Sequence, residues 1–129
     1  KSTCIATDQA PAAVGPYSQA VRAGGFLYVS GQLGLVPGAG QFAGEDFDSQ
    51  ARQALANVGA ILAAAGCAIT DIVSVDVFMT GLANFKSFNA IYAAFMAGHK
   101  PARAAVQVAG LPLGGVGEGK CVAVARGEA

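Results

Sequence analysis

The chain of 129 residues predicts a two-layer α+β domain, one mixed sheet with two helices on one of its faces. Three observations carry that prediction. Apolar runs of strand length flank two longer segments whose apolar residues recur every three to four positions. Glycine or proline punctuates most of the boundaries. The elements run in the order two or three strands, helix, strand, helix, two strands, which lets both helices cover the same side of a sheet.

The N-terminal stretch ends in Ala10-Pro11 and Gly15-Pro16 and reads as a loop, because proline restricts both itself and the residue before it. Tyr17 to Arg22 begins a strand, and Ala23-Gly24-Gly25 is a hairpin turn signal. Phe26-Leu27-Tyr28-Val29-Ser30 is a nearly continuous apolar β run that Gly31 ends, followed by a glycine-rich loop from Pro37 to Gly44. The first helix is capped by Asp46 or Asp48, both acids suiting its positive end. Its stripe is Phe47, Ala51, Leu55, Val58, Leu62 and Ala65, with Gln50, Gln53 and Asn57 off it, and Gly66 stands where a terminating glycine belongs.

Ile72 to Met79 alternates as a strand with Val73, Val75, Val77 and Met79 on one face. Asn84 starts the second helix, marked by Phe85, Phe88, Tyr92 and Phe95, and Gly98 ends it. Arg103 to Val108 and Lys120 to Ala125 complete the sheet, separated by Leu111-Pro112 and a glycine-rich turn.

Length allows one domain, 1–129. Hydrophobic residues make up 53% and charged residues 12%, against about 25% charged in ordinary soluble domains. No apolar run reaches the roughly 18 residues of a membrane helix; Ile61 to Ile69 is too short and contains Gly66. A sheet with one bare face and an uncharged surface predicts a subunit that packs against copies of itself. Net charge is zero with no cluster of either sign, so nucleic acid is not an expected partner. Cys4, Cys67 and Cys121 are odd in number and widely spaced, which fits reduced thiols rather than disulfides or zinc. No secretory pattern opens the chain, so the cytosol is expected, or the mitochondrial matrix if a transit peptide was removed.

Candidate chemistry is sparse. His99, the only histidine, follows the second helix and best serves its C-terminal end. No Ser-His-Asp pattern, phosphate loop or metal-ligand grouping is present. Arg103 heads an apolar strand, where a guanidinium is costly to bury unpaired. Its partner is either an internal carboxylate, Glu118 or Asp76, or the carboxylate of a ligand. Glu118 lies between Gly117 and Gly119, either solvated in a turn or free to orient and deprotonate a water. Tyr17 either lines a cleft or sits in the core, and Ser30-Gly31-Gln32 offers an approachable backbone N–H.

Ala10 through Val21, Ser30-Gly31-Gln32, Pro101-Ala102-Arg103 and Val106 through Pro112 together resemble the RidA/YjgF/L-PSP family, as do the helix Gln50 to Gly66 and the segment Asn89 to Phe95. The resemblance spans essentially the whole chain. It implies a chorismate-mutase-like fold and a homotrimer with clefts between subunits. It also implies hydrolysis of reactive 2-imino and enamine acids (2-iminopropanoate/2-aminoacrylate, 2-iminobutanoate) to 2-keto acids and ammonia, without metal or cofactor. Carried over by position, Arg103 would hold the substrate carboxylate with help from the Gly31 N–H, Tyr17, Ser30 and Asn89 would line the cleft, and Glu118 would hold the attacking water. A non-catalytic trimer that binds a 2-keto acid or amino acid is the alternative. An endoribonuclease or translation inhibitor is a weaker one, and chorismate-mutase chemistry would rest on fold analogy alone.

Three features depart from the family's pattern. Ala105 replaces a frequent cysteine, Lys100 stands where an aromatic residue is common, and Gly117-Glu118-Gly119-Lys120 interrupts the usual alternation of apolar residues and glutamates. Glycines loosen strand register, and a slip of one residue would turn Glu118 to the other face.

Overall fold

A computed structural model describes residues 1–125. Six strands, β1 (Ser2–Ile5), β2 (Ala20–Ala23), β3 (Phe26–Leu33), β4 (Ile72–Met79), β5 (Ala102–Gln107) and β6 (Gly117–Val124), join in one sheet. Their spatial order is β1-β2-β3-β6-β4-β5. Among the described residues, only β4 and β5 pair in parallel. The two helices are α1 (Phe47–Ala64) and α2 (Phe85–Met96). The expected mixed sheet with both helices on one face is what the chain forms.

The helices bury the alternate residues that the strands turn toward them. Leu27, Val29, Val75, Val77, Met79, Cys121 and Ala123 are all at most 4% exposed. The whole expected stripe of α1, Phe47 through Ala65, is buried against them. Leu55, Val58, Ile61 and Leu62 each contribute roughly 1.5–3 kcal/mol by leaving water. Asp46 is the cap, its carboxylate accepting from the Ser49 backbone N–H at 3.0 Å. Those bonds from Ser49 hold the Asp46 carboxyl below its usual pKa. Gly24, Gly25 and Gly66 adopt the positive φ that the hairpin and the helix end require.

Several details differ from expectation. The N-terminal loop contains a strand, β1, whose residues carry no clear alternation and which pairs only with β2. β3 does not stop at Gly31 but runs on to Leu33 through a register shift between Val29 and Gln32. A second shift between Ile72 and Ser74 expels Val73, which is 41% exposed, so Ile72 rather than Val73 joins Val75 and Val77 in the core. β6 starts three residues earlier than expected, at Gly117.

Gln50 and Asn57 lie off the apolar stripe yet are 3% and 1% exposed. Their amides are spent on loop backbone. Asn57 Nδ2 donates to the carbonyls of Leu33 and Leu35 at 3.0 and 2.9 Å. Gln50 Nε2 donates to Gly44 O at 3.0 Å, and its Oε1 accepts from Val116 N at 3.0 Å. The helix therefore fastens the end of β3 and the entry to β6, the two strand segments that carry Gly31 and Glu118.

Candidate active site

The open face of the sheet carries one half of the candidate site. Glu118 pairs with Leu33 on β3 and with Phe78 on β4, so its side chain leaves the sheet on the side away from the helices. Gly117 and Gly119 face the helices and are buried. The register question posed by the two glycines is thus answered by long-range pairing on both sides of β6. The bulge in β3 brings Gly31 directly against the glutamate. A Cβ placed on Gly31 would lie 2.9 Å from the carboxylate carbon of Glu118, so only glycine admits the carboxylate there. Tyr17, Gly31, Gln32, Leu113 and Glu118 line a cleft of about 190 Å³. Burial against these walls raises the Glu118 pKa above its ordinary value.

The loop that carries Tyr17 is tied down by one buried amide. Gln19 Nε2 donates to Thr7 O at 3.0 Å and Pro11 O at 2.7 Å, while its Oε1 accepts from Thr7 N at 2.7 Å. Ser30 does not line the cleft; its hydroxyl donates to Ser18 O at 2.6 Å and joins β3 to the same loop. Tyr17 itself is half exposed.

The other half lies on the helix side of the sheet edge. Arg103 pairs with Val75, a buried residue on the helix face. Its Nη1 donates to Asn89 Oδ1 at 2.8 Å. Its guanidinium lies 4.8 Å from the ring centre of Tyr92 and 5.6 Å from that of Phe85. Neither internal carboxylate considered for it is its partner. Asp76 instead meets Lys120 at 3.8 Å, and Glu118 faces the opposite cleft. Arg103 is exposed, with Asn89, Tyr92, His99 and Lys100 around a cleft of about 320 Å³. His99 is held by Nε2 at 2.7 Å from Ile72 O.

Arg103 and Glu118 therefore stand on opposite faces of one sheet with β4 between their strands, and one chain does not bring them together. Tyr17, Gly31 and Glu118 share a cleft; Asn89 and Arg103 share another. The rings of Phe85 and Tyr92 against Arg103 went unread in the sequence, where they counted only as part of an aromatic stripe. A signal was present for Gln50 and Asn57, which are seven residues apart and so share a helix face. A wider groove of about 450 Å³ between α1 and α2, lined by Arg52, Leu55, Ile91 and Phe95 among others, shares no residue with either half. Among the described residues, no three His, Cys, Asp or Glu side chains are grouped to hold a metal. No described helix is long and apolar enough to cross a membrane.

This two-layer domain sets a carboxylate in a cleft on the open face of its sheet and an arginine in a second cleft at the sheet edge, each of a size for a small ligand. The chain belongs to the Endoribonuclease L-PSP family, the RidA/YjgF/L-PSP family, which it matches over residues 7–125. It is 46% identical over 120 residues to the 2-iminobutanoate/2-iminopropanoate deaminase of Bos taurus, covering 93% of this chain and 88% of that protein. It is 42% identical over 123 residues to Reactive Intermediate Deaminase A, chloroplastic, of Arabidopsis thaliana, covering 95% of this chain but only 66% of the relative. Among solved structures it is similar to E. coli TdcF with bound serine, with a TM-score of 0.90, 40% identity, and coverage of 95% and 98% of the two chains.

Proposed function

We propose that the chain is a hydrolytic deaminase of 2-imino and enamine acids, acting as a homotrimer whose clefts join Arg103 of one copy to Glu118 of the next. The observation that carries this is the Glu118 carboxylate set against the glycine at position 31, in a cleft that also holds Tyr17. A carboxylate with a raised pKa, beside an approachable backbone and without a nucleophilic side chain, suits the handling of a water and a proton. The names of the relatives at 42–46% identity support the same chemistry.

Two features support the oligomer. Arg103 and Glu118 occupy opposite faces of one chain, so a substrate touching both needs a second copy. The open face presents Phe26, Tyr28 and Val106 at 40–50% exposure, apolar surface that association would cover.

In the assembled cleft, Arg103 binds the carboxylate through the guanidinium edge that Asn89 does not use, and the Gly31 N–H supplements it. An enamine first takes a proton at C3 to become the imine. Glu118 orients a water and accepts its proton as the oxygen bonds to the imine carbon, then passes that proton to the nitrogen. The resulting tetrahedral carbon expels ammonia as its C=O forms, with Glu118 cycling the proton. The imine carbon is already electrophilic, so positioning accounts for most of the acceleration. No resident cofactor takes part in this scheme. The compartment proposed is the cytosol or an organelle, the Arabidopsis relative being named chloroplastic.

The test generates 2-aminoacrylate or 2-iminobutanoate with a dehydratase and follows imine decay. Wild type should speed decay and release ammonia, whereas Glu118→Gln and Arg103→Ala should not. Decay no faster than in buffer would defeat the proposal. Binding of 2-keto acids without turnover would then establish the non-catalytic reading, and RNA cleavage abolished by Arg103→Ala would establish the nuclease reading.

A further inference from the structure

The cleft on the helix side of β5 carries two cationic side chains, Arg103 and Lys100, on a largely apolar wall. Arg103, Asn89, His99 and Lys100 line it together with Tyr92, and none of its lining residues among those described is a carboxylate. Neither Arg103 nor Lys100 has an ion pair among the described residues. Arg103 is held by Asn89 and by the rings of Phe85 and Tyr92. Lys100 stands three positions earlier, about 10 Å away along extended chain. Its flexible stem lets the ammonium approach that gap without displacing the arginine. Two separated cations lining one cavity, with no carboxylate of the same chain among its described lining residues, suit a ligand that carries two anionic groups.

We propose that this cleft selects short dicarboxylic 2-imino acids, with the carboxylate next to the imine on Arg103 and the distal carboxylate on Lys100. The inference rests on the assignment of Arg103 as the substrate's carboxylate ligand. It adds the substrate class, which that assignment leaves open. The cleft volume of about 320 Å³ accommodates such a chain. The reactions that supply these imines are oxidations at the α-carbon of acidic amino acids.

Stable product analogues separate this inference from catalysis. Calorimetry would compare 2-oxoglutarate with 2-oxobutanoate on wild type, Lys100→Ala, Lys100→Glu and Lys86→Ala at fixed low salt. A charge-assisted contact is worth enough to give wild type about a tenfold preference for the dicarboxylate. Lys100→Ala should bring the two affinities within about twofold, and Lys100→Glu should reverse the preference, because a like charge repels. Lys86 is exposed at the far end of α2, so Lys86→Ala should keep the wild-type ratio. Equal affinity in wild type, or a preference that survives Lys100→Ala, would overturn the second-anion site while leaving the Arg103 assignment standing. If wild type bound neither keto acid, both would fall.

Discussion

The guanidinium of Arg103 rests 4.8 Å from the ring centre of Tyr92, whose own hydroxyl is buried without a hydrogen-bond partner among the described residues. The ring and the hydroxyl therefore do different things. The ring offers a negative face to the cation, and the hydroxyl is an uncompensated polar group whose pKa burial raises, opposed by the charge of Arg103.

Substitutions at Tyr92 should separate the two. Tyr92→Leu removes a contact worth about 0.5–1 kcal/mol at an exposed site, so KM should rise roughly two- to fivefold with kcat nearly unchanged. Tyr92→Phe keeps the ring and removes the orphan hydroxyl, so KM should hold and stability should rise by about 1 kcal/mol. Steady-state kinetics and thermal melts on both variants check this. Equal KM in Tyr92→Leu and wild type would show that the ring does not position the arginine.

Gly31→Ala should leave the fold and spoil the site. The added methyl meets the end of a flexible glutamate rather than backbone, so Glu118 moves aside and the strand survives. A displaced carboxylate of this kind costs on the order of 100-fold in turnover. Imine decay should fall accordingly while circular dichroism and the melting temperature change little.

Glu118 gives a pH dependence of definite sign. Its pKa is raised above 4.5 by burial alone, so the folded state disfavours the ionised form. That penalty is present above the raised folded pKa and disappears as pH falls below the unfolded value. Glu118→Gln should therefore raise the melting temperature near neutrality, with the gain fading toward pH 4. Activity should be lost on the acid side with an inflection above the ordinary carboxylate range of about 4.3. An inflection at or below that range would contradict the burial described above.

Gly119 faces the helices over a small void lined by Phe47, Val77, Met79 and Phe88, and a Cβ there would meet nothing closer than Asp76 O at 4.0 Å. Gly119→Ala should stabilise by roughly 0.5–1 kcal/mol, through filling and through a stiffer unfolded chain. Gly117→Ala is the contrast, because its Cβ would press on Phe47 at 3.2 Å. Denaturant midpoints of the two variants should move in opposite directions.

Much was legible in the sequence because its causes are local. The stripe from Phe47 to Ala65, the Asp46 cap, Gly66 and the Gly24-Gly25 turn each follow from spacing or a single residue's conformational freedom. Arg103, at the head of an apolar strand, announced itself as a charge in need of a partner, and the matching segments around Tyr17, Gly31 and Asn89 named the family. Tertiary structure alone decided the rest. β1 forms because β2 offers it a ladder, not because Ser2–Ile5 has a pattern. Val73 is expelled and Gly31 is brought to Glu118 by register shifts set between strands distant in sequence. Gln50 and Asn57 are buried because loop carbonyls and an N–H far along the chain need partners. The face on which Glu118 stands depends on pairing with both β3 and β4. Periodicity reports which residues of one segment lie together; only the closure of long loops determines which segments meet, and at what offset.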